Sequence, residues 1–342
     1  MTPLKANGVK LMDKILITGA SGFIGSFIVE EALKRGMEVW AAVRTTSSHR
    51  YLQDERIHFI DISLGSYDSL CSQLNGHRFD YVVHAAGVTK CNNQADFYRI
   101  NTQGTENLVW ALKKTSPQLK RFVYLSSLSV MGPVRENEPH TEIEDTDTPH
   151  PNTNYARSKL KSEEFLSHCQ WLPWVILRPT GVYGPREHDY FLMAQSIKRH
   201  VDFAAGYKRQ DITFVYVTDV VQAVFLALEK PCTGHSYFLT DGNSYTSTTF
   251  SDLIRRQIGN PWMVRVKAPL WALRAVTTLG ALQSRLTGKA TALNNDKYNI
   301  LKQRNWLCNI EPARRQLGYN PRVNLEEGVE KTIAWYKKEG WL

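Results

Sequence analysis

The sequence predicts an α/β protein built on a doubly wound parallel sheet, with a smaller and mostly helical second lobe. In the first half, short apolar runs alternate with segments of helical periodicity, and after about residue 179 the loops lengthen and helical patterns dominate. Strands of a parallel sheet are buried on both faces and form such uninterrupted apolar runs. A chain of 342 residues also exceeds one minimal sheet domain without reaching three domains.

The predicted strands of the first half are short and mostly apolar: Lys14–Thr18, Glu38–Val43, Ile57–Asp61, Tyr81–Ala85, Arg121–Ser126 and Trp174–Leu177. Helical periodicity separates them, notably over residues 23–35, 95–115 and 154–169. Parallel strands need crossover connections, and these are right-handed. We therefore expect a sheet domain over residues 12–178 that binds its ligand beyond the carboxyl ends of the strands.

The second lobe, residues 179–342, is predicted to be mainly helical. Its helical patterns are Tyr190–Arg199, Thr218–Glu229, Thr248–Ile258, Pro269–Leu286 and Leu325–Lys337. Two strand-like segments, Ile212–Val217 and Ser236–Leu239, are expected to return to the sheet and interleave the two lobes.

Composition and pattern exclude several classes of protein. Apolar residues make up 42% and charged residues 22%, as in ordinary globular proteins. The most apolar late segment, 269–286, is interrupted by Arg274 and Arg285 and is predicted to be an amphipathic helix, so no membrane insertion is expected. Residues 1–11 lack the pattern of a signal peptide and are expected to be a disordered leader.

The cysteines and histidines predict neither disulfides nor a metal site. Five cysteines are scattered and never form CxxC, which favours reduced thiols and a cytoplasmic location. The ten histidines show no pair at metal-ligand spacing.

The charge balance favours an anionic partner. Lysine and arginine number 42 and aspartate and glutamate 33, and 42 − 33 = +9. Nucleic acid, an anionic membrane surface and a phosphate-bearing cofactor all meet this description. No basic recognition element appears, so no nucleic-acid partner is expected. A small cofactor accounts for part of the excess, and the rest is a basic surface with no assigned use.

A glycine-rich turn follows the first predicted strand and opens a helix. TGASGFIG, residues 18–25, places Gly19, Gly22 and Gly25 at G-x-x-G-x-x-G spacing. Such glycines permit a tight turn and close approach to a pyrophosphate, and the helix N-terminus offers N–H groups to it. The alternative is a turn that only closes strand onto helix. The predicted cofactor contacts here are Gly19, Ser21, Gly22, Phe23, Ile24 and Gly25.

This turn resembles the TGxxGxxG of the extended short-chain dehydrogenase/reductase superfamily, the NAD(P)-dependent epimerase/dehydratase family. Further similar motifs follow in the family's order: HAAG (84–87), NTQGT (101–105), YLSS (124–127), YARSK (155–159), LRPTGVYGP (177–185) and YVTDVVQA (216–223). The resemblance spans about residues 13–230 and implies a Rossmann-type sheet with a substrate-binding second lobe. YLSSLSVMGP and the C-terminal segment are most similar to the 3β-hydroxysteroid dehydrogenase and dihydroflavonol reductase branch.

A serine, a tyrosine and a lysine are the predicted catalytic groups. Tyr155 and Lys159 stand at i and i+4, on one helix face. A phenol with a pKa near 10 is a poor base, and a nearby ammonium favours its ionised form. In the family that the sequence resembles, the catalytic serine lies five residues before a glycine. Gly132 occupies that glycine position here, so the resemblance implies that Ser127 hydrogen-bonds the substrate oxygen. The alternative for Tyr155 and Lys159 is an ordinary surface pair.

The resemblance implies roles for other residues as well. Cofactor contacts are implied for Asp61, Ile62, Ala85, Ala86, Gly87, Ser126, Pro179, Thr180, Gly181 and Val182, besides Tyr155 and Lys159. Asn101 is expected either to hold a water or fix its helix for catalysis, or to be a cap or a buried amide bonded to backbone. Candidate substrate contacts are Thr89, Ser129, Tyr183 and His188, and a solvated loop position is the alternative for His188.

The second strand indicates which nicotinamide cofactor binds. An acidic residue about 20 residues past the glycines marks NAD, but residues 39–48 contain no acid and Arg44 ends the strand. Arg44 with Thr45 and Ser47 suits a 2′-phosphate. The sequence therefore favours NADP(H), with NAD(H) as the alternative if Arg44 only stacks on adenine or points to solvent.

The reaction class follows from the resemblance in part. Ser127 is followed by Leu128, Ser129 and Val130, without the acid pair of the family's dehydratases. The nearest branch implies hydride transfer to or from a ketone or secondary alcohol on an apolar small molecule. The second-lobe aromatics are candidates to line its pocket or to form core: Tyr183, Tyr190, Phe191, Phe214, Trp262, Trp271 and Trp306.

Two other functions stay open. A nucleotide-sugar epimerase or reductase with tightly held NAD needs second-lobe arginines, for which the candidates are Arg186, Arg199, Arg209, Arg265 and Arg304. A non-catalytic dinucleotide sensor is the other, although it has no need of Ser127, Tyr155 and Lys159. A homodimer formed through helices 95–115 and 154–169 is implied by the resemblance alone.

Overall fold

The structure is a computed structural model that describes residues 12–91, 93–287 and 295–342. The segment 1–11, expected to be a disordered leader, lies outside the described residues. Within the described part, no helix has the length and apolar character needed to cross a bilayer.

A seven-stranded parallel sheet forms the centre of the molecule. Its strands are β1 (Lys14–Thr18), β2 (Glu38–Val43), β3 (His58–Asp61), β4 (Tyr81–His84), β5 (Arg121–Leu125), β6 (Trp174–Pro179) and β11 (His235–Leu239). They lie in the order β11-β6-β5-β4-β1-β2-β3, and each neighbouring pair is parallel. The chain reverses direction across the sheet between β1 and β4, so the doubly wound fold predicted from sequence is confirmed.

Helices cover both faces of the sheet because alternate strand residues face opposite sides. These helices are α1 (Phe23–Lys34), α2 (Tyr67–Gln73), α3 (Gln94–Phe97), α4 (Gly104–Thr115), α5 (Asn154–His168) and α7 (Val217–Glu229). Ile15 and Ile17 of β1 belong to the core that includes the apolar residues of α1 and α7. Leu16 belongs to the second core, formed with α2 and α4.

The helix predicted over residues 95–115 is divided into three parts. A π-helical segment, Tyr98–Gln103, joins α3 to α4. Insertions of this kind occur mostly as single turns and frequently at functional sites. Here the π segment carries Asn101.

The second lobe adds short strands and further helices: β7 (Gly181–Tyr183), α6 (Asp189–Lys198), β8 (Val201–Ala205), β9 (Asp211–Ile212), β10 (Phe214–Tyr216), β12 (Tyr245–Thr246), α8 (Thr249–Gln257), β13 (Val264–Ala268), α9 (Leu270–Thr287), α10 (Asn295–Lys302) and α11 (Leu325–Lys338). The strands pair in twos, β10 with β7, β12 with β9 and β13 with β8.

The expectation that residues 212–217 return to the sheet is wrong, whereas β11 does join it, beside β6. The segment 212–217 is interrupted at Thr213. The Thr213 carbonyl accepts a hydrogen bond from Thr180, and its hydroxyl donates to the carbonyl of Trp306. These bonds connect the break between β9 and β10 to Thr180, which follows β6, and to Trp306, which follows α10.

Candidate active site

The glycine-rich turn is closed so tightly that side chains are excluded from it. Gly19 has φ +69°, and a Cβ there would lie 2.7 Å from the backbone nitrogen of Ala86. A Cβ on Gly25 would lie 2.0 Å from the carbonyl oxygen of Gly19. Gly22 precedes α1, whose N-terminus has no side-chain cap and no acid in its first turn. The N–H groups of this first turn therefore suit an anionic ligand.

A chain of hydrogen bonds joins this turn to the π-helical segment through His84. Thr18 accepts from Ala86 N–H and contacts His84 Nδ1 at 2.6 Å, while His84 Nε2 lies 2.9 Å from the Thr105 hydroxyl. Thr105 donates to the carbonyl of Asn101, so its oxygen is left to accept from Nε2–H. Burial lowers the pKa of His84 to about 3. His84 is therefore neutral, with its proton on Nε2.

Asn101 is fully engaged by protein groups. Its Oδ1 accepts from Val88 N–H at 2.8 Å, and its Nδ2 donates to the Val88 carbonyl and to Ser158 at 3.1 and 2.9 Å. These bonds connect a buried amide to the backbone of Val88 and to the side chain of Ser158. Asn101 thus fixes α5 against the turn after β4, where a Cβ on Gly87 would lie 3.6 Å from Lys159 Nζ.

Ser127, Tyr155 and Lys159 come together at the carboxyl end of β5. Ser127 follows β5 and accepts hydrogen bonds from the amide and the hydroxyl of Ser129 at 3.2 and 2.9 Å. Tyr155 lies in the first turn of α5, which Thr153 caps, and lines the same cavity as Ser127. Lys159 Nζ donates to the carbonyl of Leu125 at 2.6 Å. The predicted trio is therefore one cluster.

The surroundings shift both titratable groups. Burial raises the pKa of Tyr155 to about 12, and the nearby Ser127 hydroxyl opposes this rise. Lys159 Nζ lies over the ring of Tyr124, 4.3 Å from its centroid. Burial lowers the pKa of Lys159 itself to about 7, opposed by the negative charge of Glu163. Tyr155 is consequently protonated at neutral pH.

A buried ion pair next to this cluster was not predicted from the sequence. Glu163 lies one turn beyond Lys159 on α5 and accepts from both Nε and Nη2 of Arg178 on β6. The shortest of these contacts is 2.6 Å. The pair fixes α5 to the strand that leads into residues 179–182. The Arg178 position was visible in the sequence as part of the LRP motif, but its partner was not.

A cavity of about 450 Å³ opens beside Ser127 and Tyr155. Its apolar walls come from the second lobe and from the turn after β5: Leu128, Tyr190, Met193, Phe203, Ala204, Ala205, Ile212, Phe214, Phe250, Ile300, Leu301 and Trp306. The polar residues are Thr89, Lys90, Ser129, Thr180, Asp189, Gln210, Thr213, Ser247, Asp296 and Lys297. No arginine is among the described residues that line it. Thr89, Ser129, Thr180 and Gly181 of the predicted site do line it.

Two predicted substrate contacts lie elsewhere. Tyr183 is fully buried, and its hydroxyl donates to the carbonyl of Asn324. As the last residue of β7 it points into the aromatic core beside Phe250. His188 is exposed and stacks on Phe191, away from the cavity lining. Neither residue lines the cavity beside Ser127 and Tyr155. Of the other candidate aromatics, Tyr190, Phe214 and Trp306 reach the cavity.

Asp296 on α10 is a cavity residue that the sequence did not reveal. Its carboxylate accepts from the Asn154 amide at 2.9 Å, at the N-terminus of the helix that carries Tyr155. An acid there is favoured by the helix dipole. Burial raises the pKa of Asp296. No local pattern marks this residue, because 142 positions separate it from its partner.

Arg44 directly follows β2 and is exposed. Ser47 accepts from the Arg44 amide at 3.2 Å, and Thr45 donates to Asp61 at 3.4 Å. Ile62 is buried and its amide donates to the carbonyl of Val43. These groups lie together at one corner of the sheet.

The residues at this site fit a nicotinamide dinucleotide. The turn at Gly19–Gly25 has no room for side chains, and the uncapped N-terminus of α1 follows it. The hydroxyl oxygen of Ser126 is buried and has no hydrogen-bond partner in the described residues, as expected of a group that awaits a polar ligand. The described residues contain no cluster of three or more His, Cys, Asp or Glu able to hold a metal.

The chain is similar to several known proteins over most of its length. A model of the NAD dependent epimerase/dehydratase family matches residues 15–239. Sterol-4-alpha-carboxylate 3-dehydrogenase, decarboxylating, of Dictyostelium discoideum is 25% identical over 94% of this chain and 100% of its own. The 3 beta-hydroxysteroid dehydrogenase/Delta 5-->4-isomerase of Mycobacterium tuberculosis is 26% identical over 95% and 90%. The UDP-glucose 4-epimerase of Thermotoga maritima superposes with TM-score 0.76 at 23% identity, over 95% and 99% of the chains.

Proposed function

Because the chain belongs to the NAD-dependent epimerase/dehydratase family, whose members are NAD(P)-dependent enzymes, we propose that it interconverts a ketone and a secondary alcohol on a mostly apolar small molecule. The favoured cofactor is NADP(H). The choice of substrate class rests on the cavity beside Ser127 and Tyr155. Its walls are mostly apolar, and the described residues that line it include no arginine.

Four of the five arginine candidates for a nucleotide-sugar enzyme have other partners, and the fifth, Arg199, is exposed and does not line the cavity. Arg186 bonds with Ser26 and Glu30, and Arg265 with Asp202 and Asp252. Arg209 and Arg304 are also ion-paired, with Asp211 and Glu138. A diphosphate prefers bidentate arginine contacts. The cations that do line the cavity are Lys90, which pairs with Asp189 at 2.6 Å, and Lys297.

The proposed chemistry assigns one task to each residue. When bound, the nicotinamide supplies a hydride to the carbonyl carbon or accepts one from the alcohol. Tyr155 donates its proton to the substrate oxygen during reduction. Ser127 already accepts from Ser129, so its own proton is left to hydrogen-bond that oxygen and stabilise developing charge. Lys159, Ser126 and the turn at residues 85–87 would hold the nicotinamide riboside, and residues 179–182 its carboxamide.

The test against the epimerase alternative uses the purified protein. Native mass spectrometry is expected to show an empty chain that takes up added NADPH, since a reductase exchanges its cofactor at each turnover. NADPH oxidation is then measured with a 3-ketosteroid as the apolar probe, and conversion of UDP-glucose with NAD. A retained dinucleotide together with turnover of UDP-glucose would overturn the proposal. Cofactor uptake with no turnover of any apolar ketone in a panel would favour a sensor.

Replacing Arg44 with aspartate is expected to weaken NADPH binding by about 10- to 100-fold and to change NADH binding little. A charge-assisted hydrogen bond is lost and a repulsive charge appears beside the 2′-phosphate. Quenching of tryptophan fluorescence on titration measures both affinities. Arg50→Asp is the matched control, since Arg50 is exposed nearby and pairs with Glu339. If Arg44→Asp bound NADPH as tightly as wild type, Arg44 would not be the residue that binds the 2′-phosphate.

The pH profile of kcat/KM for NADPH is expected to fall as pH rises through about 7. Lys159, with a pKa lowered to about 7, is charged below that pH and loses its proton above it. Tyr155, with a pKa raised to about 12, stays protonated throughout. This parameter reports the free enzyme. Arginine remains charged over the whole range, so residual activity of Lys159→Arg should lack the decline. A wild-type profile that stays level to about pH 9 would contradict the assignment.

A further inference from the structure

One surface of the second lobe is unusually apolar. The described residues include fourteen large apolar side chains that are exposed, and nine of them lie on or next to β8, β13 and α9. Trp271 is 76% exposed and Phe203 67%. We call this surface the docking face; its apolar residues are Phe203, Tyr207, Trp262, Val264, Val266, Leu270, Trp271, Val276 and Leu279.

These elements adjoin one another. Strands β8 and β13 pair in parallel, which places Phe203 beside Val266. The hydroxyl of Tyr207 donates to the carbonyl of Lys267 at 3.2 Å, and Gly206 N–H donates to Ala268. Helix α9 begins at Leu270, two residues after β13 ends. The apolar residues therefore belong to three adjoining elements, and exposed apolar patches mark interaction sites.

The charges on this face that have no ion-pair partner in the described residues are positive. Residues 253–287 contain no aspartate or glutamate but six basic residues, Arg255, Arg256, Arg265, Lys267, Arg274 and Arg285. Arg265 is neutralised by Asp202 and Asp252. Lys208, Lys267 and Arg274 are exposed and have no ion-pair partner in the described chain. Part of the basic excess of the sequence is thus unopposed positive charge beside exposed tryptophans.

We propose that the docking face binds the surface of an anionic lipid bilayer. Exposed tryptophan, phenylalanine and leucine next to unopposed lysine and arginine are the groups that enter the boundary between lipid headgroups and acyl chains. Each cation near an anionic leaflet adds about 1 kcal/mol of attraction. A nucleic acid would leave the aliphatic side chains unused, and α9 lies on the bilayer rather than across it because Arg274 interrupts it.

The docking face also forms one wall of the active-site cavity. Phe203, with Ala204 and Ala205, lines that cavity. Helix α9 packs against α10, which contributes Ile300 and Leu301 to it. When the protein is docked, its active-site cavity therefore lies next to the lipid, where an apolar substrate is dissolved. Entry of the substrate from the lipid rests on the proposed function, whereas docking itself does not.

Vesicle flotation with the full chain tests docking without any substrate. We expect the protein to float with phosphatidylcholine vesicles that contain phosphatidylserine, to stay behind with phosphatidylcholine alone, and to be released by salt. Lys267→Gln/Arg274→Gln should weaken binding roughly 25-fold, about fivefold per charge. Trp271→Ser/Leu279→Ser should also weaken it. The matched control is Tyr67→Ser/Lys114→Gln, which removes an exposed aromatic and a cation outside the docking face and should bind like wild type.

Three results would overturn the proposal. The protein does not float with either vesicle, it floats equally with both, or the docking-face variants float as well as wild type. Light scattering adds a further check, because a change from dimer to monomer in Trp271→Ser/Leu279→Ser with vesicle binding intact would show that the face joins two copies instead. Circular dichroism confirms that each variant is folded. Turnover of a water-soluble ketone should persist in all docking-face variants, so failure of docking and failure of the proposed reaction are separable.

Discussion

Replacing Tyr155 with phenylalanine is expected to lower turnover by about 10²- to 10⁴-fold, the contribution of a positioned general acid. In the proposed reaction the phenol donates the proton to the substrate oxygen, and its pKa is raised to about 12, so it is fully protonated at neutral pH. Phenylalanine keeps the ring at the cavity wall but supplies no proton. Dinucleotide affinity should change little, because Ser126, Lys159 and the glycine-rich turn remain.

Single-turnover oxidation of NADPH by the ketone probe measures this effect, and fluorescence titration measures the affinity. Tyr81→Phe is a suitable control, since Tyr81 is at the amino end of β4, whereas the site lies beyond the carboxyl ends of the strands, and loss of its hydroxyl should leave turnover intact. If Tyr155→Phe keeps more than about a tenth of wild-type turnover, another group donates the proton and the assignment of Tyr155 is wrong.

Replacing Glu163 with leucine is expected to lower the free energy of unfolding by about 3–5 kcal/mol, the usual cost of leaving one partner of a buried ion pair alone. The Arg178 side chain is only 10% exposed and Glu163 4%, so water cannot replace the lost carboxylate. The double variant Glu163→Leu/Arg178→Met should recover most of this loss, because apolar residues of similar volume often replace a buried pair without cost.

Urea unfolding of the single and double variants measures these differences, with the slope on denaturant checked for constancy. Glu31→Gln removes an exposed pair with Arg35 on α1 and should cost about 0.3–0.5 kcal/mol. A Glu163→Leu variant within about 1 kcal/mol of wild type would show that the pair contributes no more than a surface contact.

Chemistry that depends on short sequence spacing was predictable from the sequence. The i, i+4 relation of Tyr155 and Lys159 and the glycine spacing at Gly19 to Gly25 identified residues that the structure brings to one edge of the sheet. The strand and helix patterns predicted the central sheet because both faces of it are buried, and such strands are recognisable by composition alone.

Residues contributed by distant segments were not predictable. Asp296 meets the N-terminus of α5 only through the tertiary fold. Tyr183 is next to a motif in sequence, yet side chains alternate along a strand, and this one points into the core. The raised pKa of Tyr155 comes from burial, which depends on how the second lobe closes over α5. No spacing in the chain records that packing.

Burial of Lys159 makes the stability of the fold depend on pH. Its pKa is about 7 in the folded chain and 10.5 when exposed, so between these values the unfolded chain binds more protons. The folded state carries the full desolvation penalty below about pH 7 and is relieved of it as pH rises toward 10.5. The proposed reaction needs the charged form. The pH range in which charged Lys159 supports the proposed hydride transfer is therefore the range in which its burial destabilises the fold most. A search for more stable variants would select for replacement of Lys159.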